Sequence, residues 1–234
     1  MMTAPAQNIA LLLFLRDEKQ EARAKPLAGA CRRVNRAVFR ALNHHARRQA
    51  RSSGLPLLVV KGAQQTGHSF GERLANAFEY AFARGYDNVI AIGNDCLALD
   101  AARLREAAQV LGDAGAVLGP AGDGGAYLIG LSRKAYHRRA FIALPWQANR
   151  LYAALWQYVR HLGCDPYLLR QEDDADDAPA LRRLAGRLPS GSTLRRALEK
   201  LLAPPAPLPA FCAAPAIDLR YRPCRQRGPP FPAL

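Results

Sequence analysis

Four short stretches of this chain, residues 9–15 (IALLLFL), 57–60 (LLVV), 89–92 (VIAI) and 116–118 (AVL), are apolar with no polar residue among them. A run of that length without alternation predicts a strand buried on both faces, and such strands belong to parallel sheets enclosed by helices. Helix-like segments separate the runs, so the pattern is α/β with a largely parallel sheet. Ligands of such sheets gather outside the carboxyl ends of the strands. Gly93-Asn94-Asp95-Cys96 leaves the third run at that edge, which makes Asp95 a carboxylate suited to hold a cation on a phosphate.

The remaining segments fit the same scheme. A charged loop after residue 15 leads to a helix over about 29–51, whose Val34, Val38, Phe39 and Leu42 fall on one stripe. Ser69-Phe70-Gly71-Glu72 has the form of a capping box and opens a helix to about 83. Asp100 is the N-cap of a helix ending near 112, and 127–131 is a further strand beyond the glycine loop Gly122-Asp123-Gly124-Gly125. A helix over 150–162, a last strand at 167–169, and helices near 180–185 and 193–202 complete the domain, which spans 1–202. Nine of the 17 prolines lie after residue 203, so 203–234 is expected as an extended or disordered tail.

The formal net charge of +14 is carried mostly by arginine and favours anionic ligands. The basic residues are spread over several helices, which is the pattern of a solvated surface, so no specific nucleic acid is expected as a partner. Five cysteines with no CxxC spacing argue against a disulfide framework and against structural zinc. The run at 9–15 is too short to cross a membrane and is followed at once by Arg16-Asp17-Glu18-Lys19, so the reading is a cytoplasmic protein with no membrane partner.

Phe70-Gly71-Glu72-Arg73-Leu74, Gly93-Asn94-Asp95-Cys96, the block Leu118 to Leu131, Pro145-Trp146 and Asp174-Ala175-Asp176 occur in one order. In that order they resemble a bacterial glycosyltransferase-A-like family labelled arsenosugar-biosynthesis glycosyltransferase, itself similar to the guanylyltransferases of molybdopterin and 2-phospholactate. The resemblance runs from about residue 9 to residue 188. Asn94 stands where the family usually has serine, Leu97 where it has proline, and Ala126 where it has an aromatic residue. The family's first loop is proline- and glycine-containing and ends in V-K-T-R-L. Here Arg23-Ala24-Lys25-Pro26-Leu27 keeps the lysine without the threonine-arginine pair.

The resemblance implies a Rossmann-like three-layer α/β/α sandwich of glycosyltransferase-A type. It implies a metal-dependent transferase that moves a glycosyl group from a nucleotide diphosphate sugar to a small acceptor, with Mg2+ or Mn2+ as cofactor. Asp95 is then the first metal ligand. Asp174 and Asp176 fall at the family's late D-x-D and either complete the metal shell or start the following helix. Asp123 stands by the acceptor as general base or serves the Asp-Gly turn. Lys25 and Arg16 follow the first strand as partners for donor phosphates, and Gly124 and Gly125 allow a substrate close to the backbone. Two alternatives stay open: a nucleotidyltransferase releasing pyrophosphate, and a basic binding module on a decayed enzyme scaffold.

Overall fold

The computed structural model describes residues 8–203; the proline-rich tail, apart from Ala203, lies outside the described residues. Among these residues six strands form one sheet: β1 (Ile9–Leu15), β2 (Leu57–Lys61), β3 (Asn88–Ile92), β4 (Ala116–Pro120), β5 (Ala126–Ser132) and β6 (Tyr167–Leu168), in the order β2-β1-β3-β5-β4-β6. The pairs β1–β2, β1–β3 and β4–β6 are parallel, while β5 runs antiparallel to both neighbours. The cause is the connection between β4 and β5, residues 121–125, which is too short for a crossover and long enough for a hairpin.

Among the described residues eight α-helices connect and cover the strands: α1 (Glu18–Ala24), α2 (Arg32–Ser52), α3 (Phe70–Ala83), α4 (Ala101–Ala114), α5 (Arg138–Ile142), α6 (Leu151–His161), α7 (Ala178–Arg187) and α8 (Thr193–Leu202). Alternate residues of β1 face opposite layers, as the two-residue repeat of a strand requires. Ala10 and Leu12 pack with Phe78 of α3, Phe141 of α5 and Leu155 of α6. Leu11 and Leu13 pack with Ala46 and Ala50 of α2 and with Leu104 and Leu111 of α4. The result is a three-layer α/β/α sandwich. A third cluster joins Ala22 of α1, the stripe Val38, Phe39 and Leu42 of α2, Leu97, and the apolar faces of α7 and α8.

The start signals act much as the sequence predicts, with one change. Asp100 accepts from the Arg103 amide at 2.8 Å and Ser69 from the Glu72 amide at 3.1 Å. Glu72, however, accepts from the amide of His68 at 2.7 Å, one residue before the cap. Two helices depart from the sequence reading. The charged loop after β1 contains α1, capped by Asp17, which accepts from the Lys19 amide at 2.8 Å. The five-residue α5 is too short to leave a periodic apolar stripe.

Candidate active site

A cavity of about 410 Å³ opens at the carboxyl edge of β1 and β3. Arg16, Glu21 and Lys25 reach it from the β1–α1 region, and Asn94 and Asp95 from the exit of β3. Asp123 and Gly125 come from the β4–β5 connection, Trp146 to Asn149 from the loop before α6, and Asp174 and Asp176 from the segment between β6 and α7. Of the residues singled out in the sequence, all but Gly124 line this one hollow. Its apolar and aromatic lining is formed by Phe14, Phe70, Leu74, Ile129 and Trp146. Phe70 packs edge to face on Phe14, with ring centres 5.8 Å apart, and tilted on Trp146 at 5.5 Å.

Asp95 stands two residues beyond Gly93, at the exit of a strand whose five residues are all buried. Gly93 gives the carboxylate room to fold back, since a Cβ there would lie 2.8 Å from Asp95 Oδ1. The segment carrying Asp174 and Asp176 is drawn to the same place by the backbone: the Ala175 amide donates to Asp95 O at 3.1 Å, and the Gly122 amide to Glu172 O at 2.9 Å.

Pairing sorts the acidic run 172–177. Glu172 bonds Arg103 at 2.7 Å and Asp173 meets Arg187 at 3.2 Å, so these two are paired with cations. Asp176 bonds Lys25, and Asp177 caps α7 through the Ala180 amide at 2.7 Å. Asp174 has none of these partners, and its buried Oδ1 accepts no hydrogen bond. Burial, followed by the charges of Asp95, Asp176 and Asp123, pushes its carboxyl up to about 9 against a smaller opposing pull from Lys25. Asp95 is likewise raised by loss of surrounding water and by Asp176 and Asp123, with Lys25 opposing; its side chain keeps 37 % exposure.

These oxygens suit a hard divalent cation: they are carboxylates, they repel one another, and one buried oxygen lacks a partner. As placed, no three Asp, Glu, His or Cys side chains among the described residues already form a metal-holding group. The acids face one hollow, and coordination would require their oxygens to draw together.

Lys25 supplies positive charge at this point, bonding Asp176 and standing 3.9 Å from Asp95 Oδ2. Burial pulls the lysine pKa down, yet Asp95 and Asp176 outweigh it and leave the ammonium raised. Asp123 accepts from the Gly125 amide at 2.8 Å, so it shapes its own turn while lining the cavity. Gly124 has a different part. With φ +88° it lies so close to Asn149 that a Cβ would stand 1.7 Å from Asn149 O, and its carbonyl accepts from the Tyr152 amide at 2.9 Å. It thereby pins the 145–150 loop to the hairpin.

Sequence reading did not foresee Glu21 or the role of Asn94. Asn94 Nδ2 donates to Asn43 Oδ1 at 2.7 Å and to Glu21 Oε2 at 3.2 Å. Asn43 in turn donates to Glu18 Oε1 at 3.0 Å, and Lys61 to the same carboxylate at 2.6 Å. A serine carries one donor hydrogen and cannot serve both partners, so the amide at 94 and the helix at 18–24 form one arrangement. Gln147, which also lines the cavity, has φ +65° and is the single non-glycine residue with positive φ among those described; sequence carries no signal for it. Cys96 is buried with its thiol pushed up, chiefly by desolvation, which leaves it a packing residue.

A family model described as "Uncharacterized protein conserved in bacteria (DUF2064)" matches residues 27–148. Among solved structures, that of a candidate nucleotide-diphospho-sugar transferase from Desulfovibrio desulfuricans G20 aligns with a TM-score of 0.74 at 22% identity, covering 84% of this chain and 97% of that one. At that identity the likeness establishes a shared fold. Rv0371c from Mycobacterium tuberculosis H37Rv aligns at 16% identity with a TM-score of 0.42 over 77% of this chain and 98% of that one, and no argument rests on it. No curated protein matches the chain.

Proposed function

This chain belongs to the bacterial family DUF2064, and from that premise we propose that it is a transferase that moves a glycosyl group from a nucleotide diphosphate sugar to a small acceptor. The observation that carries the reading is the meeting of Asp95, Asp123, Asp174 and Asp176, from three separate segments, with Lys25 and Arg16 around one cavity at the sheet's carboxyl edge. Fold likeness to a nucleotide-sugar transferase supports it.

Asp95, with Asp174 and Asp176, would hold Mg2+ or Mn2+. When bound, that cation neutralises charge developing on the donor's phosphate oxygens. Arg16 offers those oxygens a bidentate fork and Lys25 a point charge. Gly125 leaves the backbone open beside them. Within the same cavity the acceptor hydroxyl forms a bond to the anomeric carbon and passes its proton to Asp123. The bond from that carbon to the diphosphate oxygen breaks, and its electron pair leaves with the nucleoside diphosphate.

The work is assigned to the cytoplasm, where nucleotide sugars are available to a protein with free Cys31, Cys96 and Cys164. Among the described residues no helix is long and apolar enough to cross a membrane. The test is a melting screen of sugar nucleotides and nucleoside triphosphates, each with and without Mn2+. A sugar nucleotide with Mn2+ is expected to raise Tm in the wild type and not in Asp95→Asn. Stabilisation by a triphosphate alone would favour nucleotidyl transfer. Salt-sensitive nucleic-acid binding without any nucleotide response would favour a binding module.

A further inference from the structure

Lys25 stands where the proposed cation is needed. Its ammonium bonds Asp176 and lies 3.9 Å from Asp95 Oδ2, so one charge bridges the acid leaving β3 and the acid preceding α7. The bridge is anchored. Lys25 is the C-cap of α1, with its amide donating to Glu21 O at 2.8 Å. Helix α1 is itself tied to α2, β2 and the β3 exit through Glu18, Asn43, Lys61, Glu21 and Asn94. About two-thirds of the lysine side chain is withdrawn from water.

An ammonium and a divalent metal neutralise acids in different ways. The ammonium donates hydrogens and tolerates carboxylates that do not converge. A divalent ion such as Mg2+ demands oxygens at about 2.0–2.1 Å in a fixed geometry. The acids stand in the first arrangement, since no three of them form a metal-holding group. Both cations cannot share the space between Asp95 and Asp176, because like charges at contact distance repel strongly in a part-buried cleft.

We propose that Lys25 is the resident counter-ion of Asp95 and Asp176, and that a divalent cation enters only by displacing its ammonium, which then turns toward the donor's phosphates. The inference rests on the transferase reading in taking Asp95 as a cation ligand. It makes metal binding a competition within this chain and assigns the lysine retained in the altered first loop a gating role.

Calorimetric titration of the full chain with Mn2+ tests it. Lys25→Met keeps the length and removes the charge, and it is expected to bind Mn2+ on the order of tenfold more tightly than the wild type. Lys25→Arg keeps a charge and is expected to bind no more tightly. Asp95→Asn is expected to lose binding in either background. A second readout needs no variant: acylation of Lys25 by an amine reagent, followed by mass spectrometry, is expected to be slow in the free protein and accelerated by Mn2+. Lys61, held by Glu18, serves as the internal control. Equal or weaker Mn2+ binding by Lys25→Met, or Lys25 acylation unmoved by saturating Mn2+, overturns the inference. Either result leaves the transferase reading standing if Asp95→Asn still abolishes binding. Absence of Mn2+ binding in every variant overturns the inference and the metal-dependent reading together.

Discussion

Asp174 and Asp177 are three residues apart, yet pairing gives one a cap to make and leaves the other with a buried oxygen and no partner. Sequence could place the acids of 172–177 near the sheet edge but could not sort them, because sorting depends on Arg103, Arg187 and Lys25 arriving from distant segments. Asp95 was legible for a local reason: a buried strand ends and an acid follows. Replacing it with asparagine is expected to lower transfer by on the order of a hundredfold or more, read as product formed per unit time, with the melting point little changed. Gly124 gives the opposite signature. Alanine there would drive a Cβ into Asn149 O at a positive φ, so Gly124→Ala is expected to cost about 1–3 kcal/mol. Thermal unfolding would show that loss as roughly 2–4 °C per kcal/mol.

Helix α1 shows how an element alters a site. The stretch after β1 holds Asp17 followed by Glu18-Lys19-Gln20-Glu21-Ala22-Arg23-Ala24, good helix formers behind a capping residue, and lacks proline or glycine before Lys25. That signal is local and short, seven residues, and the same charged composition also suits a loop. Direction in the sheet was less accessible, since an apolar run records burial and not polarity; the five-residue connection before β5 was the one clue to its antiparallel course. The Glu18 contact yields a test of α1. Burial alone would raise the Glu18 carboxyl, but bonds from Lys61 and Asn43 bring it down to about 2. A depressed carboxyl contributes stability that is complete above its unfolded value of 4.5 and lost as pH falls through about 2. The wild type is therefore expected to lose on the order of 1–3 kcal/mol more than Glu18→Gln between pH 4.5 and pH 2, measured by denaturant unfolding across that range.

At the scale of the whole molecule, the three-layer class was legible because unbroken apolar strands separated by amphipathic helices leave few other arrangements. Convergence of residues 16, 25, 95, 123, 174 and 176 on one hollow follows from that class, because loops at the carboxyl edge of a parallel sheet have nowhere else to meet. The aromatic lining was not legible, as Phe14, Phe70 and Trp146 lie far apart in sequence and are brought together by the packing of α3 and the 145–150 loop on the sheet. What this cavity does to a bound donor is decided by which phosphorus–oxygen or carbon–oxygen bond breaks. The full chain incubated with a stabilising sugar nucleotide and Mg2+, with water or a small alcohol as acceptor, can be followed by phosphorus NMR. Release of the nucleoside diphosphate, lost in Asp95→Asn, is the predicted result; a sugar 1-phosphate with a nucleoside monophosphate in its place, or a donor left intact by a protein that binds it, would contradict glycosyl transfer.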